Sequence, residues 1–206
     1  MRNIITLIIL IVLFQNSFSQ VIKDRNVVTI GVTLNKILRL TIDDGNGINF
    51  QFDNFNVVVS INGNESNIIT NRTSFSVSSS VRWKIIYGAE MPYLIGLYNP
   101  TNTLEINNLG FELVDVGMHS FGAEGELLSN PTNNATEVSQ LEVYPTTLIE
   151  DNNGRYSNGG DDLDNSFILN WRCGTSENGM NPNSLYNQNI ESDTYSVNVI
   201  IELIAE

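Results

Sequence analysis

The stretch YSVNVIIELIA, residues 195–205, decides the fold: Tyr195, Val197, Val199, Ile201, Leu203 and Ala205 fall on one side of a two-residue period. That period belongs to a half-buried β-strand and not to a helix. The same alternation recurs at Phe167, Leu169, Trp171 and Cys173, and at Val81, Trp83, Ile85 and Tyr87, where Arg82, Lys84 and Ile86 take the opposite face. Working outward, Val28, Ile30, Val32 and Leu34 share one face, as do Leu38, Leu40 and Ile42, then Ile48, Phe50 and Phe52. Val57 to Ile61, Phe75 with Val77, and Leu109, Phe111 and Leu113 add three more strands. Val138, Leu141 and Val143 with Thr146 to Ile149 supply two others.

Asp43 to Gly47 and Asn62-Gly63 read as turns, since Asn and Gly accept the positive φ of tight hairpins. Gly88 to Asn102 (with Pro92 and Pro100), Glu150 to Asn165 and Gly174 to Ser184 read as polar loops. The count is nine to eleven strands, with no βαβ alternation, which predicts an all-β fold: one antiparallel β-sandwich domain over residues 20–206 with long polar loops. A closed barrel satisfies the same pattern.

The first residues differ in kind. Arg2 precedes an apolar run from Ile4 to Phe14 and small residues at Ser17 and Ser19, the layout of a signal peptide over residues 1–19. The run falls short of the roughly 20 apolar residues of a spanning helix, so no membrane insertion of the mature chain is expected. The location expected is the periplasm, the cell surface or the medium. Cys173 is the only cysteine, so no internal disulfide forms and stability rests on packing. The chain carries 23 acids against 10 Lys and Arg, a net charge of −13. The charge is uneven: residues 20–84 hold seven Lys and Arg against five acids, whereas residues 85–206 hold two against eighteen. Such a chain repels phosphate backbones, and no nucleic-acid partner is expected.

No catalytic constellation emerges. His119 is the only histidine and no Gly-x-Ser-x-Gly turn accompanies it. Cys173 shares the face of Phe167, Leu169 and Trp171, which suits a small buried hydrophobe. The acidic loop from Asp151 to Asp164 offers carboxylates at Asp151, Asp161, Asp162 and Asp164 amid Asn and Gly, a composition from which calcium takes oxygen ligands. Its spacing is not that of an EF-hand, Arg155 opposes a cation, and a plain solvated loop is the alternative. Tyr87, Tyr93, Tyr98, Tyr144, Tyr156 and Tyr186 lie at expected strand ends or loops, where they serve either as sugar-stacking rings or as sandwich caps.

The closing segment Ser192–Glu206, a turn leading into a Tyr and strict alternation, resembles the final strand of secreted pilin-like subunits of Gram-negative bacteria. Val27–Ile42 is similar to their opening strands. The likeness extends to Ig-like fimbrial and adhesive modules in general, and it implies an Ig-like sandwich without catalytic residues. It implies a structural or adhesive envelope protein, a surface-fibre subunit that partners itself or other envelope proteins. Val28, Ile30, Val32 and Leu34 are the strand-exchange candidates. The alternative is a monomeric secreted module that binds a glycan or an envelope protein, with calcium stabilising a loop. Intact-mass measurement of the exported protein is expected to find Gln20 as the first residue, and a retained apolar segment would overturn the export reading.

Overall fold

The computed structural model describes residues 29–33, 35–52, 71–121, 128–130, 137–152, 157–183 and 185–206. The chain divides into two units, Met1–Leu34 and Asn35–Glu206. In the first, residues 29–33 form no strand, and Ile30 and Val32 are 84% and 79% exposed. The strand expected over Val28–Leu34 is therefore absent at those five positions, and Val28 and Leu34 lie outside the described residues.

The second unit is built from antiparallel strands: β1 (Leu38–Asp44), β2 (Asn71–Ser79), β3 (Trp83–Ala89), β4 (Tyr93–Gly96), β5 (Thr103–Glu105), β6 (Leu109–Asp115), β7 (Leu128–Ser129), β8 (Val138–Gln140), β9 (Thr146–Asp151), β10 (Ser166–Cys173), β11 (Tyr195–Ser196) and β12 (Val199–Ala205). One sheet runs β1-β2-β10-β6-β8, a second β12-β3-β9-β7, and a small third β11-β4-β5. Every ladder between these strands is antiparallel.

Alternation builds the core as the pleat requires. Phe167, Leu169 and Trp171 of β10 point inward, opposite Phe75 of β2 and beside Leu113 and Phe111 of β6. Trp83, Ile85 and Tyr87 of β3 meet them from the second sheet, all essentially fully buried. Rings join the two sheets edge to face: Trp83 with Phe167 at 6.1 Å and 72°, and Tyr87 with Phe111 at 5.3 Å and 88°. Within the first sheet Phe75 stacks on Phe167 at 5.2 Å, and Phe111 meets Trp171 at 5.4 Å. Such aromatic pairs add to area burial about 0.5–1.5 kcal/mol each. Two sheets packed across one aromatic core make a β-sandwich.

Several expectations need correction. Gly88–Asn102 is not one loop, because β3 runs on to Ala89 and β4 lies within it. The short strand escapes notice between Pro92 and Pro100. Ile48 and Phe50 pack against the core without forming a strand, and Val57–Ile61 lies outside the described residues. The stretch 195–205 is two strands in two sheets, broken at Val197 and Asn198. Tyr87 is a core residue at 1% exposure, not a strand-end platform.

The polar loop before β10 also differs from a solvated connection. Asn158 and Asn165 are fully buried. The Asn158 side chain treats Trp83 as a strand would: its Oδ1 accepts the Trp83 N–H at 3.1 Å, and its Nδ2 donates to the Trp83 carbonyl at 2.8 Å. The indole N–H of Trp83 donates to the Asn158 carbonyl at 2.8 Å. Gly160 pairs with Ser79 through two backbone bonds of 2.8 Å, and the Val77 N–H reaches the Asn165 carbonyl at 2.9 Å. The loop thus bonds to both sheets at one end of the sandwich. Asn158→Ala strips partners from two buried backbone groups and is expected to lower stability by about 2–4 kcal/mol. Urea denaturation followed by tryptophan fluorescence measures it, and an unchanged midpoint would remove Asn158 from the fold's supports.

Candidate functional site

The site follows from the topology of the edges. Among the described residues β1 pairs only with β2, and β12 only with β3, so each leaves one side of its backbone without a neighbouring strand. The two strands approach to within 8 Å between Cα atoms, and beside them opens a groove of about 1280 Å³ lined from both. Leu40 and Ile42 of β1 form one wall, and Val199 and Ile201 of β12 form the other. Trp171 and Cys173 at the end of β10, with Leu94 and Leu104 of the small sheet, line it deeper in. Ile42 is 40% exposed although its strand face points to the core, because nothing described covers that edge.

Two hydrogen-bonded anchors hold the ends of the groove. At the first, the Trp171 indole N–H donates to Thr73 Oγ1 at 2.9 Å, and the Thr73 hydroxyl donates to the Gly45 carbonyl at 2.7 Å. Gly45 has φ +71°, and a Cβ there would stand 2.0 Å from the Arg72 carbonyl oxygen. Only glycine fits this turn. The second anchor is Asp193, which lines the groove. Its carboxylate accepts from the amides of Tyr98 at 2.9 Å, Asn99 at 3.0 Å and Thr194 at 2.7 Å, and from Asn102 Nδ2 at 3.1 Å. The Tyr98 amide foremost, then those of Thr194 and Asn99 and the Asn102 side chain, hold the Asp193 carboxyl below its ordinary range, against an opposing contribution from desolvation.

The acids singled out from sequence do not converge. Asp151 ends β9, its side chain only 4% exposed, with Arg82 Nε 3.3 Å from Oδ2. Burial pushes its carboxyl up, Arg82 opposes that and Glu206 adds to it. Asp161 Oδ1 accepts the Leu163 amide at 2.9 Å, and Asp164 Oδ2 accepts the Asp161 amide at 3.3 Å, so these two serve their own turn. Asp162 is exposed. Among the described residues no group of three or more His, Cys, Asp or Glu side chains could hold a metal ion.

His119 supports the same loop. Its Nδ1 lies 2.9 Å from Asn165 Oδ1, and Asn165 Nδ2 donates to the Asn158 carbonyl at 3.2 Å. The amide oxygen can only accept, so Nδ1 carries the proton. Cys173 is buried, and that burial pushes its thiol up to about 12. Of the tyrosines, Tyr98 is 81% exposed and Tyr93 41%. Tyr144 donates its hydroxyl to Glu202, whose carboxylate raises the phenol's pKa. Tyr156 and the Tyr186 side chain lie outside the described residues. The groove, the Asp193 anchor and the Asn158 pairing carry no local sequence signal, because each joins segments far apart in the chain.

No protein-family model matches the chain, and no curated protein sequence matches it.

A carboxylate whose pKa is depressed by folding stabilises the fold above the unfolded-state pKa and loses that contribution as pH falls through the lower folded value. Asp193→Asn is therefore expected to lower the melting temperature at neutral pH and to flatten its fall on acidification. Thermal melts across the carboxylate range check this, and parallel curves for the two proteins would exclude the anchor.

Proposed function

We propose that the chain is a non-enzymatic structural or adhesive component of a bacterial envelope, exported to the periplasm or cell surface, and that it assembles as the Ig-like subunit of a surface fibre. The observation that carries this reading is the pairing of an open groove, lined by apolar side chains of the edge strands β1 and β12 and by polar loop residues, with an amino-terminal segment whose Ile30 and Val32 are exposed. A strand edge offers main-chain hydrogen bonds, and a groove offers pockets for alternate side chains. Val28, Ile30, Val32 and Leu34 of one subunit supply that alternation to the groove of the next. Burying four such side chains gives about 6–12 kcal/mol by area, an upper bound before the ordering cost of association.

Charge favours the same head-to-tail contact. The amino-terminal part is mildly basic, whereas residues 85–206 carry eighteen acids against two Lys and Arg. Complementary charge speeds and orients encounter more than it tightens binding. A heterologous contact of this kind propagates as a filament unless its rotation closes.

The test is the mass distribution of the mature protein, residues 20–206, by light scattering over a wide concentration range. Species larger than a monomer that grow with concentration are expected. Ile30→Asp with Val32→Asp should abolish them while leaving the melting temperature of the Asn35–Glu206 unit unchanged. A wild-type chain that stays monomeric throughout overturns the fibre reading and leaves the groove to a monomeric binding module.

A further inference from the structure

The chain repeats the dipeptide Asn-Gly, and the fold sets three copies in different surroundings. Asn158 is fully buried, with both ends of its amide held by the Trp83 backbone, and the Gly159 amide that follows donates to Ser157 Oγ at 3.0 Å. Asn178 is exposed and its Nδ2 donates to Glu137 Oε2 at 3.4 Å, while Gly179 is held at φ +79°. Asn46 is exposed, lines the mouth of the groove and makes no side-chain hydrogen bond to another described residue. A Cβ on Gly47 would meet nothing within 4 Å, so the peptide after Asn46 has room to turn.

We propose that Asn46-Gly47 is a site of spontaneous covalent modification, deamidation through a cyclic imide, on the lip of the groove. Water removes the proton from the Gly47 amide nitrogen, which attacks Asn46 Cγ. The new C–N bond closes a five-membered succinimide, and the Cγ–Nδ2 bond breaks as Nδ2 takes a proton back from solvent and leaves as ammonia. Addition of water then opens the ring at either carbonyl, giving aspartate or isoaspartate, with no oxidant or reductant needed. The reaction demands that Cγ and the next amide nitrogen meet in the presence of water. Asn46 is exposed to water and has room for that approach, whereas Asn158 has neither while its amide is held by Trp83. Gly45 just before the site is locked by Thr73 and Arg72, so the change is confined to the lip. Each conversion adds a negative charge beside Asp43 and Asp44, and the isoaspartate product lengthens the main chain by a methylene at the groove's edge.

The experiment ages the full mature protein in mildly alkaline buffer, native and in denaturing urea, and follows Asn46, Asn158 and Asn178 by peptide mapping with mass spectrometry. In the native protein Asn46 is expected to convert at least about tenfold faster than Asn158, because the latter must first break two buried hydrogen bonds. In urea the two rates should approach each other. Asn46→Gln should remove the product at residue 46 and leave conversion at Asn178 as it was. Equal native rates at Asn46 and Asn158, or an Asn46 that converts only in urea, would overturn the proposal. Ageing at a dilution where light scattering shows only monomer leaves the groove unoccupied, so these outcomes are read apart from whether the chain forms fibres.

Discussion

Trp83 is where the two sheets and the polar loop before β10 are tied together. The β3–β9 ladder ends at Ile85 opposite Ile149, so on that side the backbone of Trp83 lies past the last paired residue, while Ala205 of β12 pairs with it on the other. A buried N–H or C=O left without a partner costs about 1–3 kcal/mol. The side-chain amide of Asn158 has one donor and one acceptor at the spacing of a peptide group, and it takes the place of the missing strand. With the backbone satisfied, the indole can sit fully buried, edge-on to Phe167 of the opposite sheet. The loop then becomes a wall of the core: Asn165 links it to β2 and His119, and Gly160 bonds to Ser79.

What was legible in the sequence follows from where each signal comes from. Phe167–Cys173 reads correctly as a strand because β10 is paired on both sides and buries one face, so the alternation records a single environment. Residues 195–205 alternate just as cleanly, yet they cross from the small sheet to the second sheet at Val197 and Asn198. A period of two reports an inward face without reporting whose face it is. Composition fails in the loop before β10 for a related reason: Asn158 and Asp162 look equally polar, but one is buried and the other exposed. Asp193 has its partners at Tyr98, Asn99 and Asn102, more than 90 residues away, where no window of sequence could join them.

The groove is a product of topology in the same sense. Natural sheets protect their edges with short strands, charges or a covering element, since an open edge invites pairing with other chains. Here β1 and β12 are each seven residues long, and both contribute apolar side chains to the lining of one groove. Around that space the polar groups serve the protein's own backbone. Thr73 bonds to the turn after β1, and Asp193 bonds to the loop after β4, so the walls are held in place before anything occupies the space.

The span of the bonds at Trp83 and Trp171 bears on how quickly this molecule can form. Trp83 and Asn158 are 75 residues apart, and Thr73 and Trp171 are 98 apart. Strand β2 finds its inner neighbour β10 only after the chain between them has closed a very long loop. Chains dominated by such non-local pairs fold in milliseconds to seconds, far more slowly than those built from local contacts. The first hundred residues have β1 to pair with β2 but no central strand to bury Phe75 and Val77 against. A nascent chain of that length lacks the strand on which β2 is paired in the finished sheet, so that pairing waits until residue 173 has been made.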